Sequence, residues 1–123
     1  MAIGDSFTEG LNDPGPDGVF LGWADRLATI LAACNPGLRY ANLAVRGKML
    51  DDIIAEQLPR ALAERPELVT ICAGGNDLIL PGCDVDELAG RFERLVAGLR
   101  EAGAAVLLFT GPDVKHMPVV RTI

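Results

Sequence analysis

The sequence predicts a three-layer α/β fold built on a doubly wound parallel sheet. Two features of the sequence support this fold class. Short apolar runs alternate with longer stretches whose apolar residues recur at helical spacing, and the apolar runs end at glycine or at a polar residue. Such alternation requires right-handed crossovers and places helices on both faces of the sheet. In sheets of this kind, ligands bind beyond the carboxyl ends of the strands.

Four strands explain the apolar runs. The first is short for a central strand, and the third is apolar enough to be buried on both faces. The predicted strands span residues 1–3, 38–45, 68–73 and 104–110. A fifth strand is expected for this architecture but is missing from the sequence.

Three amphipathic helices connect these strands. The first follows a loop dense in turn-forming residues at 7–21, spans 22–33 and stops at the Asn-Pro-Gly of 35–37. The second spans 49–64, and Pro59 is expected to kink or split it. The third begins at an N-cap, Asp84, with Glu87 placed for a capping box, and ends at Gly103.

Length and composition predict one domain, covering residues 1–123, with a globular balance of 50% apolar and 23% charged residues. A net charge of −6 argues against a nucleic-acid partner or an anionic membrane. Three cysteines, Cys34, Cys72 and Cys83, form no metal-binding spacing and suggest free thiols in a reducing compartment. Because neither a signal peptide nor a membrane span is visible, we expect a cytoplasmic location. We also expect no cofactor.

Three segments at the ends of predicted strands carry the chemistry. They read GDSFTEG at 4–10, NLAVRG at 42–47 and GGND at 74–77. Because parallel strands end at one edge of the sheet, Ser6, Gly47 and Asn76 are expected to converge there, as in an acyl-transfer site. Each of the three, taken alone, also suits a bland structural role as a turn or helix-cap residue.

These segments resemble three successive blocks of the GDSL-type, or SGNH, hydrolases, and the resemblance extends from residue 1 to about residue 110. It implies a flavodoxin-like sheet and a serine ester hydrolase acting on a small-molecule or lipid-like ester. Ser6 would be the nucleophile, and the N–H groups of Ser6 and Gly47 with the Asn76 amide would form the oxyanion hole. Asp5 would be a scaffold residue for Ser6, and Asp77 would fasten the loop that carries Asn76.

The family's fourth block, an aspartate followed three residues later by a histidine, should come after a fifth strand. Asp113 and His116 have this spacing but directly follow the fourth strand, where an exposed loop is the plainer interpretation. We therefore expect a chain that is incomplete at its C-terminus and clipped at its N-terminus, and that is weakly active or inactive alone. The apolar strand at 106–109 would be an open edge that allows self-association.

Other interpretations remain open. The chain is alternatively a non-catalytic module that binds a nucleotide, a phosphate or an acyl ligand, although it lacks the Gly-x-Gly-x-x-Gly fingerprint. Glu9 and Asp13 suit a metal ion, but no third ligand is near them in the sequence, and solvation of the loop is the plainer role. Trp23 is expected in the core, or as a lid over the site.

Overall fold

A parallel β-sheet lies at the centre of the structure, a computed structural model that describes residues 1–111. Its strands are β1 (Ala2–Gly4), β2 (Leu68–Cys72) and β3 (Ala105–Leu108), in the order β1-β2-β3. Gly4 is aligned with Cys72, and Ile71 is aligned with Leu108. The α/β class and the parallel sheet predicted from the sequence are therefore confirmed.

The second predicted strand is the exception, since residues 38–45 contact the sheet through an isolated parallel bridge between Ala2 and Asn42. The N–H of Val45 still donates to the Gly4 carbonyl oxygen at 3.3 Å, so this segment runs beside β1. The described residues thus form three strands where four were predicted. One cause is visible: β1 is only three residues long, so it offers few backbone groups for pairing. The Asn42 side chain also accepts a hydrogen bond from the N–H of Ala44, the kind of local bond that competes with a strand ladder.

Helices cover both faces of this sheet. They are α1 (Ser6–Glu9), α2 (Trp23–Cys34), α3 (Leu50–Asp52), α4 (Leu58–Ala63), α5 (Gly75–Leu78) and α6 (Val85–Glu101). The predicted N-cap is confirmed, because Asp84 accepts from the N–H groups of Asp86 and Glu87. The short helices α1 and α5 were not predicted, and they matter because each directly follows a strand.

The second predicted helix is interrupted, as Pro59 led us to expect. A π-helical turn, Ile53–Gln57, separates α3 from α4, and the N–H of Leu58 bonds to the carbonyl of Ile53. This turn places the Gln57 side chain, which is 2% exposed, against the end of β1. Its amide oxygen accepts from the Gly4 N–H at 2.8 Å, and its amide nitrogen donates to the Gly4 carbonyl at 2.9 Å.

The main core lies between one face of the sheet and the helices α3, α4 and α6. It contains ten buried residues: Ile3, Leu50, Ile53, Ala61, Val69, Ile71, Leu88, Leu95, Leu99 and Ala104. The opposite face, which includes Thr70, lies across a cleft of about 930 Å³ from Ala24 and Ala28 of α2. Side chains alternate between the two faces along β2, which confirms the three-layer arrangement.

The outer edge of β3 is exposed in the described part of the chain. Leu107, Leu108 and Phe109 are 45%, 43% and 48% exposed. Because alternate residues of a strand direct their N–H groups to opposite sides, and Ala105 and Phe109 donate to the β2 side, the N–H groups of Val106 and Leu108 face outward. Residues 102–112 contain no charge that would discourage pairing at this edge.

The loop between α1 and α2 closes on itself at its base. A Cβ atom added to Gly10 would lie 2.5 Å from the Gly22 nitrogen, and one added to Gly22 would lie 2.6 Å from the Gly10 Cα. Only two glycines allow the backbones to approach this closely. Among the helices formed by residues 1–111, none combines the length and apolar character needed to cross a bilayer.

Candidate active site

Gly4 is the point at which the three motif-bearing segments meet. Its carbonyl accepts from Val45, and it is aligned with Cys72 in β2. Ser6, Gly47 and Asn76 follow these three positions by a few residues, so all three leave the sheet at the same end. The structure therefore brings the three predicted site residues to one edge, as expected of parallel segments.

Ser6 is the first residue of α1 and is half-buried. The preceding Asp5 is its N-cap, with a carboxylate oxygen that accepts from the N–H of Phe7 at 3.1 Å. The hydroxyl of Thr8 donates to the Cys72 carbonyl at 3.2 Å and fastens α1 to β2. Ser6 is thus presented from a short helix that is anchored at both its start and its middle, and Asp5 has the scaffold role predicted for it.

Gly47 lies in an exposed turn with φ of +76°. A Cβ added to it would meet nothing within 4 Å, so the space at its Cβ position is open. A side chain here would be strained by the backbone conformation and would fill that space. Both observations suit a backbone N–H that must be reached by another molecule.

The residues around Gly47 are held by the first motif, residues 4–10. Glu9 accepts from the Arg46 N–H at 3.0 Å, and both of its carboxylate oxygens also bind the Arg46 guanidinium at 3.0–3.2 Å. The Arg46 guanidinium carbon lies 5.7 Å from the centroid of the Phe20 ring. Sequence reasoning placed Glu9 in a solvated loop and missed this pairing, for which a sequence carries no local signal.

The third motif holds the same turn from its other side. The Asn76 amide nitrogen donates to the Lys48 carbonyl at 2.9 Å, which leaves its second N–H without a partner in the described part of the chain. The buried Asp77 accepts from the N–H of Leu50 at 3.0 Å. Asp77 was expected to fasten the loop that carries Asn76; its bond to Leu50 fastens that loop to the start of α3, and so ties the second and third motifs together.

Two buried carboxylates lie behind the site. Burial raises the pKa of Asp5, the charge of Asp77 adds to this effect, and the N–H of Phe7 opposes it. Burial, with a smaller effect of Asp5, raises the pKa of the Cys72 thiol to about 11. Cys72 is therefore a neutral thiol at neutral pH, which makes it a weak nucleophile.

Not all of the residues considered as partners for Ser6 lie in the described part of the chain. Within residues 1–111, no side chain makes a hydrogen bond with the Ser6 hydroxyl. Asp113 and His116 lie outside the described residues. Asp13, considered above as a metal ligand, pairs with Arg26 at 2.9 Å. Trp23, expected in the core or as a lid over the site, is partly buried, and its ring centroid lies 5.2 Å from that of Phe109.

Comparison with known proteins identifies the family. The model of the GDSL-like lipase/acylhydrolase family matches residues 2–122. Among solved structures, TesA is 29% identical with a TM-score of 0.75, covering 96% of this chain and 63% of that one. A variant of Axe2, an acetyl xylan esterase from Geobacillus stearothermophilus, is 25% identical with a TM-score of 0.73, covering 98% and 64%.

No curated protein matches the sequence. The chain spans less than two thirds of the length of the two structures compared. The family model nevertheless covers almost all of it, and all three of its motifs leave one edge of a parallel sheet. The chain belongs to the GDSL-like lipase/acylhydrolase family.

Proposed function

We propose that this chain carries the nucleophile and oxyanion hole of a serine ester hydrolase. The Ser6 oxygen attacks the carbonyl carbon of a carboxylic ester, the C–O bond to the alcohol breaks, and water later cleaves the acyl-Ser6 ester. Family membership supports this reaction class. The observation that carries it is the turn around Gly47, which is hydrogen-bonded to the motif of Ser6 and to the motif of Asn76.

Three donors are proposed for the charge that develops on the substrate oxygen. They are the N–H groups of Ser6 and Gly47 and the second amide hydrogen of Asn76. Fixed donors of this kind each contribute about 3–4 kcal/mol to transition-state stabilisation. The bond from Asn76 to Lys48 supports the assignment, because it fixes the orientation of the carboxamide while leaving one N–H to donate.

The proton of the Ser6 hydroxyl must pass to a base. Asp113 and His116, the latter being the only histidine, have the spacing of an acid–base pair. If neither residue reaches Ser6, only the oxyanion hole and binding remain, which support about 10³–10⁴-fold catalysis over water. We propose low activity for the chain in that case.

The ester is proposed to have an apolar acyl or alcohol part, either small or lipid-like. Phe7 directly follows Ser6 and is 70% exposed, and Ile79, shortly after Asn76, is 69% exposed. A contiguous apolar patch beside a polar site is typical of ligand surfaces, and we propose that these two residues contribute to one. TesA and Axe2 share the fold of this chain, and Axe2 is an acetyl xylan esterase, which supports an ester with a small acyl group as one candidate.

Labelling with a fluorophosphonate probe tests the proposal directly. Ser6 is the only serine of the sequence, so a single mass increment that is lost in Ser6→Ala assigns the label to this residue. We expect one label on the original chain and none on Ser6→Ala, with Thr29→Ala, which removes an exposed hydroxyl on α2, labelled as the original is. Equal labelling of Ser6→Ala, or no label on any chain, would refute an activated serine. Stabilisation by a nucleotide without any labelling would favour the binding-module alternative.

A further inference from the structure

The backbone of residues 46 and 47 has a single anchor in the described part of the chain. Val45 donates to Gly4, and Lys48 accepts from Asn76, but between these two positions the only backbone hydrogen bond is the one from Arg46 to Glu9. Gly47 is exposed and is free of contacts at its Cβ position. The conformation of this short stretch therefore depends on Glu9.

We propose that Glu9 is a positioning residue that, through Arg46, fixes the N–H of Gly47 relative to Ser6. This inference rests on the proposed function. Glu9 ends the short helix that Ser6 begins, and Thr8 fastens that helix to β2, so the carboxylate has a fixed place. A rigid link thus runs from the nucleophile's helix to the residue before the donor.

The geometry distinguishes this ion pair from an ordinary surface pair. Exposed pairs usually contribute little, because both side chains must be ordered and water screens the charges. Here the Glu9 carboxylate binds the Arg46 guanidinium with both oxygens and also accepts from the Arg46 backbone N–H. The Glu9 side chain is only 24% exposed. Contact with a backbone N–H means that Glu9 restrains the main chain as well as the Arg46 side chain.

Arg46 contributes to the restraint from its other side. Its guanidinium lies against the Phe20 ring as well as the carboxylate of Glu9. A lysine at this position would keep the charge but lose the planar two-pronged pairing and the stacking. Arg46→Lys is therefore expected to resemble a loss of Glu9 more than a conservative change.

The test compares three variants of the full chain. Glu9→Ala removes all contacts to Arg46, and Glu9→Gln keeps one oxygen that can accept from the backbone N–H. Asp13→Ala is the matched control, since it removes an ion pair to Arg26 whose side chains are 48% and 49% exposed and which does not touch residues 45–50.

Two properties are measured in each variant: the restraint on residues 46 and 47, and the reactivity of Ser6. Amide exchange of Arg46 and the NMR order parameter of Gly47 report the restraint in the free protein. In Glu9→Ala we expect exchange at Arg46 to rise roughly tenfold or more, and the Gly47 order parameter to fall from about 0.85 toward about 0.6. The rate of fluorophosphonate labelling at Ser6 reports the consequence, and a misplaced donor should lower it about 100-fold.

Glu9→Gln should recover part of both signals, and Asp13→Ala should match the original chain in both. Unchanged Gly47 order in Glu9→Ala, or faster motion there with an unchanged labelling rate, would overturn the positioning role. Failure of the proposed function is recognised separately, because the original chain would then not label at all. In that event the Gly47 order parameter alone decides whether Glu9 fixes this N–H.

Discussion

Replacing Gln57 with leucine should destabilise the chain strongly, although Gln57 has no part in the proposed chemistry. Gln57 is 2% exposed, and its amide makes hydrogen bonds of 2.8 and 2.9 Å to the two backbone groups of Gly4. Leucine has a similar volume, so it leaves little cavity and the effect isolates the hydrogen bonds.

The magnitude follows from the two bonds. Each lost hydrogen bond removes about 1 kcal/mol, and an unsatisfied buried N–H adds about 1–3 kcal/mol. The Gly4 carbonyl keeps its bond from Val45, whereas the Gly4 N–H has no second acceptor in the described residues. We expect a loss of about 3–4 kcal/mol in the free energy of unfolding, which is a large part of the roughly 5–15 kcal/mol typical of a domain.

Urea unfolding followed by circular dichroism measures this loss. With a slope of about 1.5 kcal/mol per molar urea, the midpoint of Gln57→Leu should fall by about 2 M. The neighbouring Glu56→Gln, which removes only an exposed ion pair with Lys48, serves as the control and should unfold near the original midpoint. A shift in Gln57→Leu no larger than in the control would refute the reasoning, because it would mean that another group or water satisfies Gly4.

Three further changes test the site and the sheet edge. Asn76→Ala should lower the rate of fluorophosphonate labelling at Ser6 by about 10²–10³-fold, the usual effect of removing one oxyanion donor. Asp5→Asn keeps the capping oxygen but removes a buried charge whose pKa is raised in the folded state. Since the folded chain holds this proton more tightly than the unfolded chain, the original chain should lose stability relative to Asp5→Asn as pH rises above the ordinary aspartate pKa of 3.8, which urea unfolding from acidic to neutral pH would show. Leu108→Lys places a charge on the open edge of β3 and should abolish any concentration-dependent association seen by light scattering, whereas Ile30→Lys on α2, which is 64% exposed, should not.

For each of these three predictions, one outcome would contradict the reasoning. Labelling of Asn76→Ala at the original rate would exclude its amide as a donor. A stability difference for Asp5→Asn that stays constant with pH would mean that the carboxyl is not perturbed by folding. Equal association of the two lysine variants would place any contact between chains away from β3.

Patterns with a regular period were readable from the sequence. The apolar run at 68–73 became β2, and the apolar stripe after Asp84 became α6, because burial of a continuous apolar surface determines both. The three motifs were correctly expected at one edge, since parallel strands end there. The hydrogen bonds between the motifs were not predicted.

What the sequence could not reveal depends on contacts between distant residues. The helices α1 and α5 are four residues each, too short to show a period. The pairing of Glu9 with Arg46 joins residues far apart in the chain, as does the bond from Leu50 to Asp77. Residues 38–45 looked like a full strand because their composition is apolar, whereas the bond from the Ala44 N–H to the Asn42 side chain depends on the folded backbone.

The contact between Gly10 and Gly22 should allow the loop between them to change without disturbing the rest of the fold. Its two ends stay together whatever lies between them, because the contact is between backbones and needs no side chain from the loop. Gly18, near the tip, has nothing within 4 Å of its Cβ position. A longer segment grafted at Gly18 should leave the sheet intact, because the ends of the loop are already held together.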